Sequence, residues 1–560
     1  MIFFILFLRI SEQKNSCTFA KNLKLVMNKT LSNFILSAII GLVFINCANR
    51  GTPDGGPKDE TPPSIIKSEP ENYSTNFKGN EIRVYFDEYI KIKDLQKQLI
   101  ISPPMKTQPD VMPLGGASKY ITIKIYDTLQ PNTTYAFNFG NSITDNNEGN
   151  PYPYYRYVLS TGDYIDSLSV NGNIVDALKK QPETFVNVAL YEVDSTFTDS
   201  IIYKETPKYI TNTLDSVTTF SIENLKPGKY LLMALKDGNG DNKFQQKTDQ
   251  LAFHKNFIEV PTDSSYSLRL FKEKRDFNAT RPRLISGEKI AFGFEGSYEG
   301  MKIDITSDTP PEFEYRITKD PKTDTLNYWY KPRLEVDSLN FKVSKNDFEK
   351  EFTARISEQK RDTLLISTFP SGTIGYDEDF KISANTPLSN FDVSKISLMD
   401  KDSTIVTFKT DFDSIRNTYL FQFDKTEDNN YEMKVLPEAF EDFFGDENKD
   451  TLTYTLKTKK TSDFGYVRFT LVNATYPLII QLTDKQGEVK VEKNAKNQGN
   501  IDFLNLDSGM YSIRVIHDVN GNKKFDPGNY LNKIQPEKVS HFQDIEIRAD
   551  WGIQETLQFK

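Results

Sequence analysis

The sequence predicts an all-β protein built as a tandem array of β-sandwich domains, and three observations carry that expectation. From Pro63 onward apolar side chains alternate at a period of two, as in Ile82, Val84 and Phe86, or Ile121, Ile123 and Ile125, or Tyr135, Phe137 and Phe139. This alternation puts one face of each strand into a core and leaves the other wet. Turn residues interrupt the strands at short intervals (Ser102-Pro-Pro, Leu114-Gly-Gly, Gln130-Pro-Asn, Asp145-Asn-Asn-Glu-Gly-Asn), and no amphipathic helical stretch of useful length lies between them, which excludes a parallel α/β sheet. Finally, a block of sequence recurs at an offset of 281 residues.

In chain order, the first element is an address. Asn28-Lys29-Thr30 precedes an uncharged apolar run from Phe34 to Ile45, and Cys47 follows at once, the order of n-region, h-region and processing site in an export signal. The run is too short for a stable spanning helix. The positive n-region begins at Met27, so translation is expected to start there, with residues 1–46 forming the signal region. Val43-Phe-Ile-Asn-Cys47 resembles a bacterial lipobox, with Asn46 where a small residue is usual. The resemblance implies cleavage before Cys47 and lipidation of its thiol and amino group, palmitate among the acyl chains; two or three chains suffice for stable anchoring. Removing residues 1–46 takes away five basic residues and one acid, moving the net charge from -9 to -13.

Residues 47–61, rich in Pro and Gly without apolar periodicity, read as a flexible tether. Its Gly55-Gly-Pro-Lys-Asp59 segment ahead of Pro62-Pro63 resembles the mature ends of Bacteroidota envelope lipoproteins that carry a bacterial Ig-like domain of the SbsA type. Residues 62–162, through Glu81-Ile-Arg-Val-Tyr-Phe-Asp87 to Ser160-Thr-Gly, resemble that Ig-like domain over its whole length. The repeat lies beyond it. Asn224-Leu225-x-x-Gly228-x-Tyr230 and Asp237-x-Asn239-Gly240-x-x-Lys243-Phe244 recur as Asn505-Leu506-x-x-Gly509-x-Tyr511 and Asp518-x-Asn520-Gly521-x-x-Lys524-Phe525. Nine identities in 21 positions, where unrelated segments give about one or two, mark a shared supersecondary unit. It reads as a strand, a tight turn, a second strand opening at the Tyr, and an Asp/Asn/Gly loop. These segments resemble small transthyretin-like (prealbumin-like) sandwiches, placed at 163–275 and 462–560. Phe380-Lys-Ile-Ser and Phe440-Glu-Asp442 mirror Ile82-Arg-Val-Tyr and Ile143-Thr-Asp145, so 373–461 reads as a second Ig-like copy and the tandem pair as duplicated. Residues 276–372 read as a sandwich of uncertain type.

Composition narrows the function. A mean hydropathy of -0.53 excludes a multi-span membrane protein, and a pI near 5.3 without clustered Lys and Arg argues against nucleic acid. With only His254, His517 and His541 and two cysteines, most metal and nucleophile chemistries lack their side chains. Asp237, Asn239 and Asp241, and Asp518, Asn520, Asn522 and Asp526, place oxygen ligands at alternate positions as Ca²⁺ loops do; the same residues also build Asx/Gly turns that bond their own backbone. Tyr328-Trp329-Tyr330 is an aromatic run whose Trp points opposite to both tyrosines in a strand, giving core packing plus a surface pair. Ser64-Ile-Ile-Lys67 matches an acyl-transfer pattern that needs a helical turn, whereas Pro62-Pro63 and the apolar pair indicate a strand. No Gly-x-Ser-x-Gly, His-Glu-x-x-His, phosphate loop or dinucleotide fingerprint occurs.

The expected function is a non-enzymatic, outer-membrane-anchored lipoprotein of the cell envelope, a multi-domain spacer and docking protein facing either the periplasm or the medium. Its expected partners are the membrane, through the lipid, and an envelope protein, with an outer-membrane β-barrel complex as one form. Two alternatives stand beside it: an accessory subunit of an outer-membrane protein assembly or secretion machine, and a surface glycan-binding or glycan-processing lipoprotein. Cys47→Ser should release the protein from the membrane fraction, because the acyl chains are the only strong hydrophobic attachment in the sequence; fractionation and immunoblotting check this.

Overall fold

The computed structural model describes residues 58–214 and 218–559. The signal region, Cys47 and the tether up to residue 57 lie outside the described residues. Within them the chain is all-β, with 42 strands and two four-residue α-helices (Leu95–Gln98 and Ile201–Lys204), as the alternation predicts.

In the first unit the long strand Glu81–Ile92 is central. It pairs with Ile65–Glu69, Ser118–Lys124 and Ile143–Asp145, and its inward residues Ile82, Val84, Phe86 and Ile90 pack with Phe137, Phe139 and Tyr157 of the opposing sheet. The tether ends in contact with this domain: the Asn150 side-chain amide donates to the carbonyls of Asp59 (2.8 Å) and Thr61 (3.3 Å).

The repeated units share one topology. Each has a sheet of four or more antiparallel strands, built around Asn187–Glu192 and Gly228–Lys236 in one copy and Leu478–Thr483 and Gly509–His517 in the other. Each closes with its last strand laid parallel to its first: Ser265–Leu270 on Leu168–Asp176, and Gly552–Gln558 on Gly465–Val472. The residues that recur in both copies explain themselves locally. Asn224 and Asn505 both sit at positive φ (59° and 54°), a conformation that Asn tolerates better than most residues. The repeated tyrosines close the turn four residues back, Tyr230 donating to the Lys226 carbonyl (3.0 Å) and Tyr511 to the Asp507 carbonyl (2.9 Å).

Between the copies, Lys289–Glu295 and Thr325–Lys331 centre one sheet of a third sandwich, faced by Lys302–Ile305, Ser338–Lys345 and Phe348–Arg355. The fourth unit pairs Phe380–Ala384 with Thr418–Gln422 in one sheet and Asn430–Val435 with Leu452–Lys457 in the other. As in the first unit, a short strand beside the core ends at an Asp: Leu388 lies opposite Asp442 as Ile90 lies opposite Asp145.

Each sandwich has its own apolar core, and a sixth cluster lies outside all five. In strand Gly228–Lys236, Tyr230, Leu232 and Ala234 point into the second domain's core, while Leu231, Met233 and Leu235 are also buried on the opposite face. That outer face is covered by Ile202 of the short helix, by Phe244, and by Phe525 and Tyr530 of the fifth domain. Tyr530 is fully buried, edge-on to Phe253 at 5.3 Å. Its backbone N–H donates to Glu273 (2.6 Å), its hydroxyl to Asp199 (3.4 Å), and Lys533 pairs with Asp199 at 2.6 Å. Burial pushes the Tyr530 phenol up, with the Asp199 charge adding to the shift, so the hydroxyl keeps the proton it donates.

The array is therefore not a linear string in which each domain touches only its sequence neighbours. The second domain meets the third (Arg275 to Glu295, 3.3 Å), the third the fourth (Lys319 N–H to the Ile415 carbonyl, 2.6 Å), the fourth the fifth (Lys459 to Asp507, 2.6 Å), and the fifth returns to the second. The first domain adjoins this cycle at the second, where Arg156 meets Glu223 and Asn224. Tyr530→Ala should weaken the return contact by about 3 kcal/mol, the scale for emptying a buried aromatic site, while the separate cores stay folded. Small-angle scattering should then show a larger radius of gyration with unchanged far-UV circular dichroism.

Candidate functional site

The two Asp/Asn/Gly loops are built alike. Gly240 and Asn242 in one, and Gly521 and Lys523 in the other, adopt positive φ at the same repeat positions (78° and 57°; 72° and 62°). The leading aspartate of each folds the loop onto itself. Asp237 accepts from the N–H groups of Asn239 (3.1 Å), Gly240 (2.8 Å) and Asn242 (2.7 Å), and Asp518 from those of Asn522 (3.0 Å) and Lys523 (2.9 Å). These are Asx-type turns in which the carboxylate oxygens are spent on backbone donors.

The remaining candidate ligands are engaged too. Asp241 accepts from the Lys243 N–H (2.9 Å) and the side-chain amides of Asn239 (3.1 Å) and Gln245 (3.0 Å). Asp526 pairs with Lys274 at 2.7 Å and accepts from the amides of Asn520 (2.6 Å) and Asn522 (2.7 Å). Burial raises the Asp526 carboxyl, but the Lys274 ammonium and the two amides outweigh it and hold the group below the usual carboxylate range. Among the described residues no group of three or more His, Cys, Asp or Glu is placed to hold a metal ion.

Sequence reasoning missed the residue that pins each loop. In the first copy Asp249, fully buried, accepts from the N–H groups of Gly238 (3.0 Å) and Gln245 (2.7 Å). In the second copy the same pair of repeat positions, Val519 (2.9 Å) and Asp526 (3.0 Å), is held by Glu537. The two carboxylates do the same work but stand 288 rather than 281 residues apart and differ in type, so an alignment at the repeat offset passes over both. Burial pushes Glu537 up, against the two N–H donors that favour its charge.

The aromatic run lies at another junction. Trp329 does point opposite to its neighbours, but Tyr328 and Tyr330 belong to the third domain's core rather than forming a surface pair. Trp329, its indole N–H on Thr318 (2.8 Å), is covered by Phe444 of the fourth domain at 6.3 Å. Cations surround this contact: Lys289 lies 4.7 Å from the Trp329 ring, Lys331 4.6 Å from Phe443, and Arg361 4.1 Å from Phe444, an arrangement favoured by the negative ring faces. Beside it a hollow is lined by Glu288, Arg333, Glu358, Gln359, Lys360 and Arg361. Glu288, 1% exposed, is fixed between Arg333 and Arg361, at 2.7 Å from each. A carboxylate held by two guanidiniums serves as a clamp on the linker to the fourth domain. Lys67 lies on strand Ile65–Glu69 and pairs with Glu69, away from the helical turn that a Ser-x-x-Lys pair requires.

A family model described as a bacterial Ig-like domain matches residues 59–161, and one described as an uncharacterized protein conserved in bacteria matches residues 175–278. No curated protein matches the chain. Among solved structures, domains 1–6 of the surface layer protein SbsC are 11% identical, covering 86% of this chain and 67% of that one at a TM-score of 0.16. A titin I-band fragment is 13% identical, covering 50% and 98% at a TM-score of 0.12. The Bacteroides ovatus protein SGBP-B, solved with a mixed-linkage heptasaccharide, is 11% identical, covering 68% and 93% at a TM-score of 0.17. The chain is thus a multi-domain protein with a bacterial Ig-like domain at residues 59–161.

Because their oxygens are occupied by backbone and amide donors, the loops should be insensitive to chelator. EDTA should leave the melting temperature unchanged, whereas Asp249→Ala and Glu537→Ala should each cost about 1–3 kcal/mol, the net worth of the two hydrogen bonds that each removes. Calorimetry with and without Ca²⁺ checks this; a chelator-dependent shift that Asp518→Ala removes would instead identify a Ca²⁺ site.

Proposed function

We propose that the chain is a lipid-anchored, non-enzymatic envelope protein of the outer membrane, held through Cys47, whose domains form a docking body for another envelope protein. The observation that supports this most is the return contact of the fifth domain on the second. A spacer gains reach from end-to-end domains, whereas this chain uses an apolar outer sheet face to fold back on itself. Folding back sacrifices reach for a fixed arrangement of surfaces, which suits docking better than spanning. The Ig-like match at residues 59–161 fits a binding role, though fold alone never names a partner.

A second reading, glycan binding at the surface, draws on the outer face of the first domain. Tyr85 and Tyr120 lie cross-strand with ring centroids 5.7 Å apart, and Tyr120 is 46% exposed. Affinity capture from gently solubilised membranes, paired with retention on immobilised polysaccharide, separates the readings. The docking reading expects stoichiometric recovery of an envelope protein, and recovery of an outer-membrane β-barrel would make this chain an accessory subunit of its machine. Retention on polysaccharide that Tyr120→Ala abolishes, with no protein recovered, would replace docking by glycan binding. Protease added to intact cells shows which side of the membrane the body faces.

A further inference from the structure

The return contact has a second corner, away from Tyr530, where charged side chains reach across in both directions. Arg514 lies on the outer face of the fifth domain's main sheet and is 5% exposed. It donates to Gln481 (2.7 Å) and, across the contact, to the Leu178 carbonyl of the second domain (3.2 Å). Lys180 reaches the other way, to Asp544 (2.9 Å) and the Phe542 carbonyl (3.3 Å) of the fifth domain. His541 stands directly across the strand pair from Arg514, one residue before the Phe542 carbonyl that Lys180 holds. Its Nε2 is buried and meets no hydrogen-bond partner among the described residues.

The charged groups around this imidazole are Arg514 on the neighbouring strand, Lys180 from the second domain and Asp544 on its own segment. Asp176 and Glu492 lie near the Arg514 guanidinium, and Lys485 near Asp544. Asp544 already serves Lys180. A proton on His541 would therefore stand beside two cations, in a place that bulk water does not reach freely and without an acceptor of its own. Burial pushes the imidazole down first, and Arg514 and Lys180 push it further, against the weaker pull of Asp544.

We propose that this corner is a pH-sensitive latch: His541 is neutral in the closed contact, and its protonation drives the second and fifth domains apart. The inference rests on the contact between these domains and holds whatever partner or anchor the protein has. The sign follows from linkage. A base whose proton affinity is depressed in the closed form gives closure its full strength above the ordinary imidazole range, near pH 6.5. As the pH falls, the open form takes up the proton first, and closure weakens until the closed form also protonates. Opening releases Lys180 and the loop around Leu178, so the imidazolium becomes free to hydrate.

Hydrogen–deuterium exchange on the full chain tests this, read at Phe525–Lys533 and at residues 176–180 and corrected for intrinsic exchange rates. The Tyr530 amide, held by Glu273, is a natural reporter. Between pH 7.5 and pH 5.5 exchange there should rise by about tenfold, one pH unit of linked protonation. The rise should vanish in His541→Gln and persist in His517→Gln, whose imidazole is bonded to Ser540 within the fifth domain. A flat wild-type profile, or the same rise in His541→Gln, overturns the proposal. Should His541→Gln open at every pH, Lys180→Met decides: a smaller step supports the latch, and an unchanged step overturns it.

Discussion

A five-stranded sheet that is apolar on both faces sets the terms for this molecule. Strand Gly228–Lys236 buries Tyr230, Leu232 and Ala234 on one side and Leu231, Met233 and Leu235 on the other. A sandwich supplies cover for only one face of a sheet, and each large apolar side chain left in water forgoes about 1.5–3 kcal/mol. The second domain meets part of the need itself, through Ile202 and Phe244. The rest is met from the far end of the chain, by Phe525 and Tyr530. The arrangement of the other domains follows, because the third and fourth must bridge the distance between the second domain and the fifth that covers it.

The asymmetry between the two repeat copies lies at a few outward positions. Met233 and Leu231 of the first copy stand at the repeat positions of Arg514 and Ser512 in the second, so a face that is oily in one copy is polar in the other. The same motif Phe has likewise taken two roles: Phe244 covers its own domain's sheet, and Phe525, its counterpart, packs on the neighbour's. A similar contrast appears at the Asp loops of the first and fourth domains. Asp145 is followed by Asn146 and Asn147, whereas Asp442 is followed by Phe443 and Phe444, which dock among cations on the third domain.

The fold was legible because strand alternation and turn chemistry are local. Ile82, Val84 and Phe86 announce a half-buried strand without knowledge of any partner, and the repeat announces shared topology, down to the tyrosines that close the turns. The role of the loops was only half legible. Asp237 and Asp518 suit either a metal or a turn on paper, and the groups that pin the loops, Asp249 and Glu537, come from outside the motif. The domain contacts were not legible, because alternation says which face is wet or dry and never what covers it. One signal was present all the same. Tyr230-Leu-Leu-Met-Ala-Leu235 is apolar without interruption, while Tyr511-Ser-Ile-Arg-Val-Ile516 is broken by Ser and Arg, and a strand without alternation is one buried on both sides.

The cyclic contact also gives the molecule two mechanical routes between its ends. A pull applied between the first domain and the fifth is carried by the covalent chain through the third and fourth domains, and in parallel by the surface where Tyr530 and Lys533 sit on the second domain. The second route is much shorter, so it bears the load first and the third and fourth domains stay slack. When that surface parts, the length of the folded third and fourth domains is added at once between the ends. The molecule is thus a stiff link below a threshold force and a long compliant one above it, with the threshold set by one aromatic plug and its surrounding ion pairs.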